Sequence, residues 1–154
     1  MTLPDDKTLL TKLSEDMTIG ESHKDESLVL REVSKCKIKI ESSLLHLSLE
    51  NCNNVILEIN CSPSSGIVTI SDSVGCEFNV NSSLRLVRIT QSSGTELHYH
   101  ESSFFGEVHT ITSKGTIVCL PDACNMIPAN KDESILVSLL TADGAIKSSV
   151  LPVA

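Results

Sequence analysis

The sequence predicts an all-β protein: a right-handed parallel β-helix of five to six rungs, closed by a C-terminal β-hairpin. Three observations predict it. First, residues 34–40, 53–59, 74–80, 93–99 and 114–120 repeat one local pattern. Their third residues are Cys36, Val55, Cys76, Thr95 and Thr116, so the steps are 19, 21, 19 and 21. A period near twenty with strand-like content marks a solenoid. Second, the fifth and seventh residues are apolar in every copy: Ile38, Leu57, Phe78, Leu97, Val118, and Ile40, Ile59, Val80, Tyr99, Leu120. The fourth and sixth are mixed and mostly polar, which is the alternation of strands with one buried face. Third, the second residues are Lys35, Asn54, Gly75, Gly94 and Gly115. Gly and Asn accept positive φ most readily, so this column reads as a repeated left-handed corner.

Taken in order, residues 1–26 are polar and acidic, with Asp5-Asp6, Glu15-Asp16 and Asp25-Glu26 around one apolar cluster, Leu9-Leu10-Thr11-Lys12-Leu13. A helix that short is marginal in water, so a flexible acidic arm is expected here and the β-helix domain at 27–154. Within 27–120 a second strand precedes each corner. Leu30, Leu49, Ile70 and Ile89 stand six residues before it, and Leu28, Leu47, Val68 and Val87 two residues earlier. In the last repeat Ile111 stands only five residues before Thr116, which suggests a tighter corner. Five rungs about 4.8 Å apart make a prism roughly 20–25 Å tall. A connector with Pro121 and Pro128 leads to a hairpin over 135–151, marked by Asp143-Gly144 between two strand-like runs. Its first strand is apolar on both faces, and a lone two-stranded hairpin is unstable. The solenoid end can cover one face and a second copy of the chain the other. The residues expected to carry that dimer are Ile135, Leu136, Val137, Leu139, Leu140, Ile146 and Val150.

With 154 residues the chain can build one domain with a real core; it has no Trp, one Tyr and three Phe, which suits a narrow interior of Ile, Leu and Val. The net charge of −8 argues against a nucleic-acid partner. No stretch is apolar enough to span a membrane and no signal-peptide pattern is visible, so a cytoplasmic protein is expected. Six cysteines (36, 52, 61, 76, 119, 124) form no C-x-x-C pair, and all are expected reduced. Cys36 and Cys76 read as small core residues. Cys119, in an outward column, reads as a free surface thiol.

His98 and His100 flank Tyr99, and such a pair can bind a metal. No Cys or carboxylate set is evident beside it, so both are read as surface histidines, with no metal and no cofactor. The sequence contains no nucleophile elbow, phosphate loop or zinc-protease pattern, and no Asp cluster of the kind that pectin-cleaving β-helices carry on one outer face. It therefore reads as a binding module rather than an enzyme, with no catalytic residues.

Three motifs carry a family resemblance: Leu49-Glu50-Asn51-Cys52-Asn53-Asn54-Val55, Ile70-Ser71-Asp72-Ser73-Val74-Gly75-Cys76 and Ile89-Thr90-Gln91-Ser92-Ser93-Gly94-Thr95. Their order, their spacing and the trailing hairpin resemble the C-terminal domain of cyclase-associated proteins, the actin-monomer regulators. The resemblance spans 27–154, with Met126-Ile127-Pro128 where the family has a double proline. Leu10-Thr11-Lys12-Leu13-Ser14-Glu15-Asp16-Met17 is similar to the end of the verprolin-homology actin-binding segment that precedes this domain in the family, as a degenerate remnant with Thr11 in place of a lysine. The family's helical domain and proline-rich linker are absent, so a short, C-terminal-only form is expected. The resemblance implies a cytosolic homodimer that swaps its terminal hairpin, binds ADP-actin monomers, promotes nucleotide exchange and supports filament turnover. The family's use of its tail in exchange extends to Leu151 and Val153. An acidic chain approaching acidic actin needs local positive groups, and Lys35, Lys37, Lys39, Arg85 and Arg88 are the outward candidates. Two alternatives stand beside this reading. One is a tubulin-cofactor-C-like module that activates a GTPase through a Gln-x-Arg motif, although neither Arg85 nor Arg88 has Gln two residues before it. The other is a purely structural β-helix dimer.

Overall fold

The structure is a computed structural model and describes residues 7–11, 15–130 and 132–151. Strands run in chain order as β1 (Lys7–Thr11), β2 (Met17–Ile19), β3 (Ser27–Arg31), β4 (Lys37–Ile40), β5 (His46–Glu50), β6 (Ile56–Ile59), β7 (Ile67–Ser71), β8 (Glu77–Val80), β9 (Leu86–Thr90), β10 (Glu96–Tyr99), β11 (Glu107–Ile111), β12 (Ile117–Leu120), β13 (Ala123–Met126), β14 (Leu136–Leu140) and β15 (Ile146–Val150). They form two sheets, ordered β1-β3-β5-β7-β9-β11-β14-β15 and β13-β12-β10-β8-β6-β4-β2. From β1 to β12 odd strands stack on odd and even on even, all parallel, which is the topology of a parallel β-solenoid; β13, β14 and β15 then add antiparallel at its end.

The expected columns are the core. Ile38, Leu57, Phe78, Leu97 and Val118 lie in register across the second sheet. They are buried, as are Ile40, Ile59, Val80, Tyr99 and Leu120. Leu28, Leu47, Val68 and Val87 face them from the first sheet, together with Leu30, Leu49, Ile70 and Ile89. A narrower third side joins Ser34, Asn53, Val74, Ser93 and Lys114 through single parallel bridges. Lys35, Asn54, Gly75, Gly94 and Gly115 all have positive φ, as the corner column requires. A second left-handed column, Glu32, Asn51, Asp72, Gln91 and Thr112, lies three residues earlier and was not evident in the sequence.

Between the two left-handed columns runs a buried ladder. The Ser73 hydroxyl accepts the Cys52 N–H at 3.1 Å, Ser92 accepts the Ser73 N–H at 3.1 Å, and Ser113 accepts the Ser92 N–H at 3.2 Å. A tight corner cannot form regular sheet bonds, and these hydroxyls satisfy backbone groups that would otherwise be buried unpaired. Asn130 closes the ladder: its N–H donates to Ser113 O at 2.8 Å and its side-chain amide to Thr110 O at 2.9 Å.

The structure departs from the sequence reading in three places. Residues 7–11 and 17–23, expected within a flexible arm, add a first turn: β1 pairs with β3 and β2 with β4, both parallel. Leu10 and Ile19 cover the start of the core, opposite Leu30 and Ile40, and Thr8 donates a hydrogen bond to Glu26. Without this turn the apolar side chains of the next one would face water. Second, Thr110, not Ile111, takes the inward position, in register with Ile89, and Ile111 faces out. The six-residue step to the corner is thereby kept in every turn, because a one-residue slip would turn the whole strand over. Third, Cys119 is buried and disulfide-bonded to Cys124. After Leu120 the chain reverses at Pro121-Asp122, and β13 returns antiparallel along β12 with the two cysteines directly opposed.

Candidate functional surfaces

The candidate basic residues do not share one face. Lys37 and Lys39 project outward from β4 on the second sheet, with Lys35 at the adjoining corner, and all three are exposed. Arg88 projects from β9 on the opposite sheet, in register with Thr69 and His109. Arg85 lies in the loop before β9 and donates to Ser65 O at 3.3 Å. Two surfaces thus carry positive charge. On the lysine face Lys37 Nζ lies 3.3 Å from Glu58. A hydrogen bond from Asn60, and then Lys37, hold the half-buried Glu58 carboxyl below its ordinary range.

Further along the same face the charge changes sign. Glu77 and Glu96 sit directly opposite one another on β8 and β10. His98 Nε2 lies 3.3 Å from a Glu77 oxygen and 3.5 Å from a Glu96 oxygen. The sequence reading found no carboxylates beside this histidine, and the solenoid supplies them from its own strand and from the previous turn. His100 is exposed beyond the end of β10 and is not in the cluster.

At the C-terminal end β14 pairs antiparallel with β11, and β15 with β14. Leu136 and Val137 are buried, and Ile135, Leu140 and Ile146 are half-buried. Leu139, Val150 and Leu151 are exposed, as is Met126 on β13. The register puts Val150 opposite Leu136 on the side that continues the core, and Leu139 on the outer side. Both faces of the hairpin therefore show uncovered apolar surface. The Leu151 N–H is tied to Ile135 O at 2.8 Å. Val153, and Lys12 to Ser14 of the verprolin-like stretch, fall outside the described residues.

An open groove of about 530 Å³ follows the serine corner, lined by Gln91, Ser92, Ser93, Thr112, Ser113, Lys114 and Asn130. The hydroxyls of Ser92 and Ser113 and the Asn130 amide are already engaged in the ladder. No helix among the described residues is long and apolar enough to cross a membrane.

No protein-family model matches this chain, and no curated protein is significantly similar to it in sequence. Among solved structures the fold is similar to that of the cyclase-associated protein from Cryptosporidium parvum. The TM-score is 0.74 at 16% identity, over 97% of this chain and 93% of that one. The likeness runs nearly end to end and establishes the fold expected from the repeats.

Proposed function

We propose that this chain is a cytoplasmic, non-enzymatic binding protein for actin monomers. In this reading it engages ADP-actin, promotes exchange to ATP-actin, supports filament turnover, and works as a homodimer joined through its terminal hairpin. The observation that carries the reading is the near end-to-end likeness in fold to a cyclase-associated protein, reached through motifs that the sequence shares with that family's C-terminal domain. Two further features support it. Exposed basic groups stand on an acidic chain, at Lys35, Lys37 and Lys39 and again at Arg85 and Arg88. Apolar side chains stay uncovered on both faces of the hairpin, at Leu139 and Val150, where a second copy could cover them. Leu151, and Val153 beyond the described residues, are the tail positions assigned to exchange.

The test is a titration of the purified chain into ADP- and ATP-loaded monomeric actin, with release of a fluorescent nucleotide as the second readout. The reading expects tighter binding to the ADP form and faster release. Charge reversal at Lys37 and Lys39, or at Arg85 and Arg88, should weaken one or both and show which surface is used. Absence of binding to either form of actin would overturn the reading. Unchanged binding and exchange in both variant pairs would remove these residues from it.

A further inference from the structure

We propose that Glu77, Glu96 and His98 form a binding site for a zinc-class divalent cation on the outer face of the second sheet. The inference does not depend on actin binding. It begins with an electrostatic problem. Glu77 and Glu96 occupy directly opposed positions on neighbouring parallel strands. Like charges so placed destabilise a sheet. Among the described residues, the ion pairs made by these two carboxylates run only to His98, while Lys37 is engaged with Glu58. A cation bound between the two acids relieves that repulsion.

Geometry favours the cation. The three donor atoms lie within 4.8 Å of one another, and Nε2 is 3.3 and 3.5 Å from the two oxygens. Tetrahedral bonds of about 2.0–2.1 Å, normal for zinc to His nitrogen and carboxylate oxygen, place donors about 3.3–3.4 Å apart. The Nε2 atom is also almost wholly shielded from solvent and has no hydrogen-bond partner of acceptable geometry, although two acceptors flank it. A metal ion between the three donors would use the nitrogen lone pair. An imidazole in the set selects zinc-class ions over Mg²⁺ and Ca²⁺, which prefer all-oxygen shells. All three residues remain half-exposed.

The test is calorimetric titration of the full chain with Zn²⁺, with Mg²⁺ and Ca²⁺ as controls. One saturable Zn²⁺ site is expected. Loss even of outer-shell partners weakens metal sites by about 10–100-fold, so His98→Ala and the double variant Glu77→Gln/Glu96→Gln should each raise the Kd at least about tenfold. His100→Ala should leave it unchanged. A Co²⁺ spectrum without a thiolate charge-transfer band would support the oxygen and nitrogen donor set, whereas an intense band would place the ion on a cysteine and overturn the proposal. Absence of saturable binding, or a Kd unmoved by both variants, would also overturn it. Should a variant fail to fold, nitrogen NMR of the wild-type histidines decides: Zn²⁺ must shift His98 Nε2, and a shift confined to other histidines rejects the site.

Discussion

The Ser92 hydroxyl accepts the backbone N–H of Ser73, one turn of the solenoid away, at 3.1 Å and donates to the Thr90 carbonyl at 2.9 Å. Ser73 and Ser113 repeat both bonds in their own turns, so the corner is a column of hydroxyls, each fastening two turns. Ser92→Ala removes the acceptor but leaves the Ser73 N–H buried. A stranded donor of that kind costs about 1–3 kcal/mol. Urea unfolding should register the loss for Ser92→Ala. Ser93→Ala, whose backbone and not its hydroxyl bridges the turns, should stay within about 0.5 kcal/mol of the parent.

How much of this was legible in the sequence depended on which periodicity carried the information. The columns through Leu57 and Ile59 stood out because strand alternation and the twenty-residue step reinforce each other there. The serine ladder did not, because Ser73 and Ser92 beside Asp72 and Gln91 look like ordinary turn residues; only the fold shows that their hydroxyls point inward. The first turn was missed because Leu10 and Ile19 are apolar residues in an acidic stretch that falls outside the clear repeat. For the histidine cluster a signal existed. Glu77 and Glu96 both occupy the fourth column and His98 the sixth, so stacking the repeats already places them side by side.

The fold makes a strict demand at Leu57, which is fully buried between Ile38 and Phe78 in its column. An aspartate there would have no cation and no water. Burying an unpaired carboxylate costs far more than a domain of this size can absorb. Leu57→Asp should therefore lose the β-sheet circular dichroism signal at room temperature. A folded variant with an unchanged melt would contradict the inward assignment of this column.

Gly106 is a place where space, not φ, decides. A Cβ built there would lie 2.3 Å from Arg85 O and 2.7 Å from Leu84 O, both backbone atoms of the previous turn. Those carbonyls cannot rotate away as a side chain would. Gly106→Ala should cost at least the about 1–3 kcal/mol typical of overpacking. Gly20→Ala, where nothing lies within 4 Å, provides the comparison and should leave the thermal midpoint near that of the parent.

The buried thiols predict a loss of stability in alkali. Burial pushes the Cys76 thiol up from 9.0 to about 11, and it also raises Cys52 and Cys36. A raised pKa in the folded state means that the folded chain holds the proton after the unfolded chain has released it. The contribution is therefore fully present below pH 9 and is lost as pH rises toward about 11. Two pKa units correspond to about 2–3 kcal/mol at Cys76. Denaturant midpoints measured across that window should fall, and less steeply in Cys76→Ala. A parent and variant with identical pH profiles would show that Cys76 is not shielded as its position implies.

The proposed dimer makes its sharpest prediction at Leu139 and Val150. They lie on opposite faces of the hairpin and are 45% and 59% exposed, although both are large and apolar. Among the described residues no further turn covers Val150, and none covers the outer side of Leu139. Both are already about half buried, so cover by a second copy contributes about half of the 1.5–3 kcal/mol of a full burial, counted once in each chain of a two-fold pair, and 1.4 kcal/mol is a tenfold change in Kd. Leu139→Ser/Val150→Ser should thus raise the dimer Kd at least about a hundredfold, while the thermal unfolding of the solenoid changes little. Light scattering over a dilution series reads the first effect and circular dichroism the second. A parent chain that stays monomeric at high concentration would leave the hairpin as a cap on its own solenoid. A variant that dimerises as tightly as the parent would place the contact elsewhere.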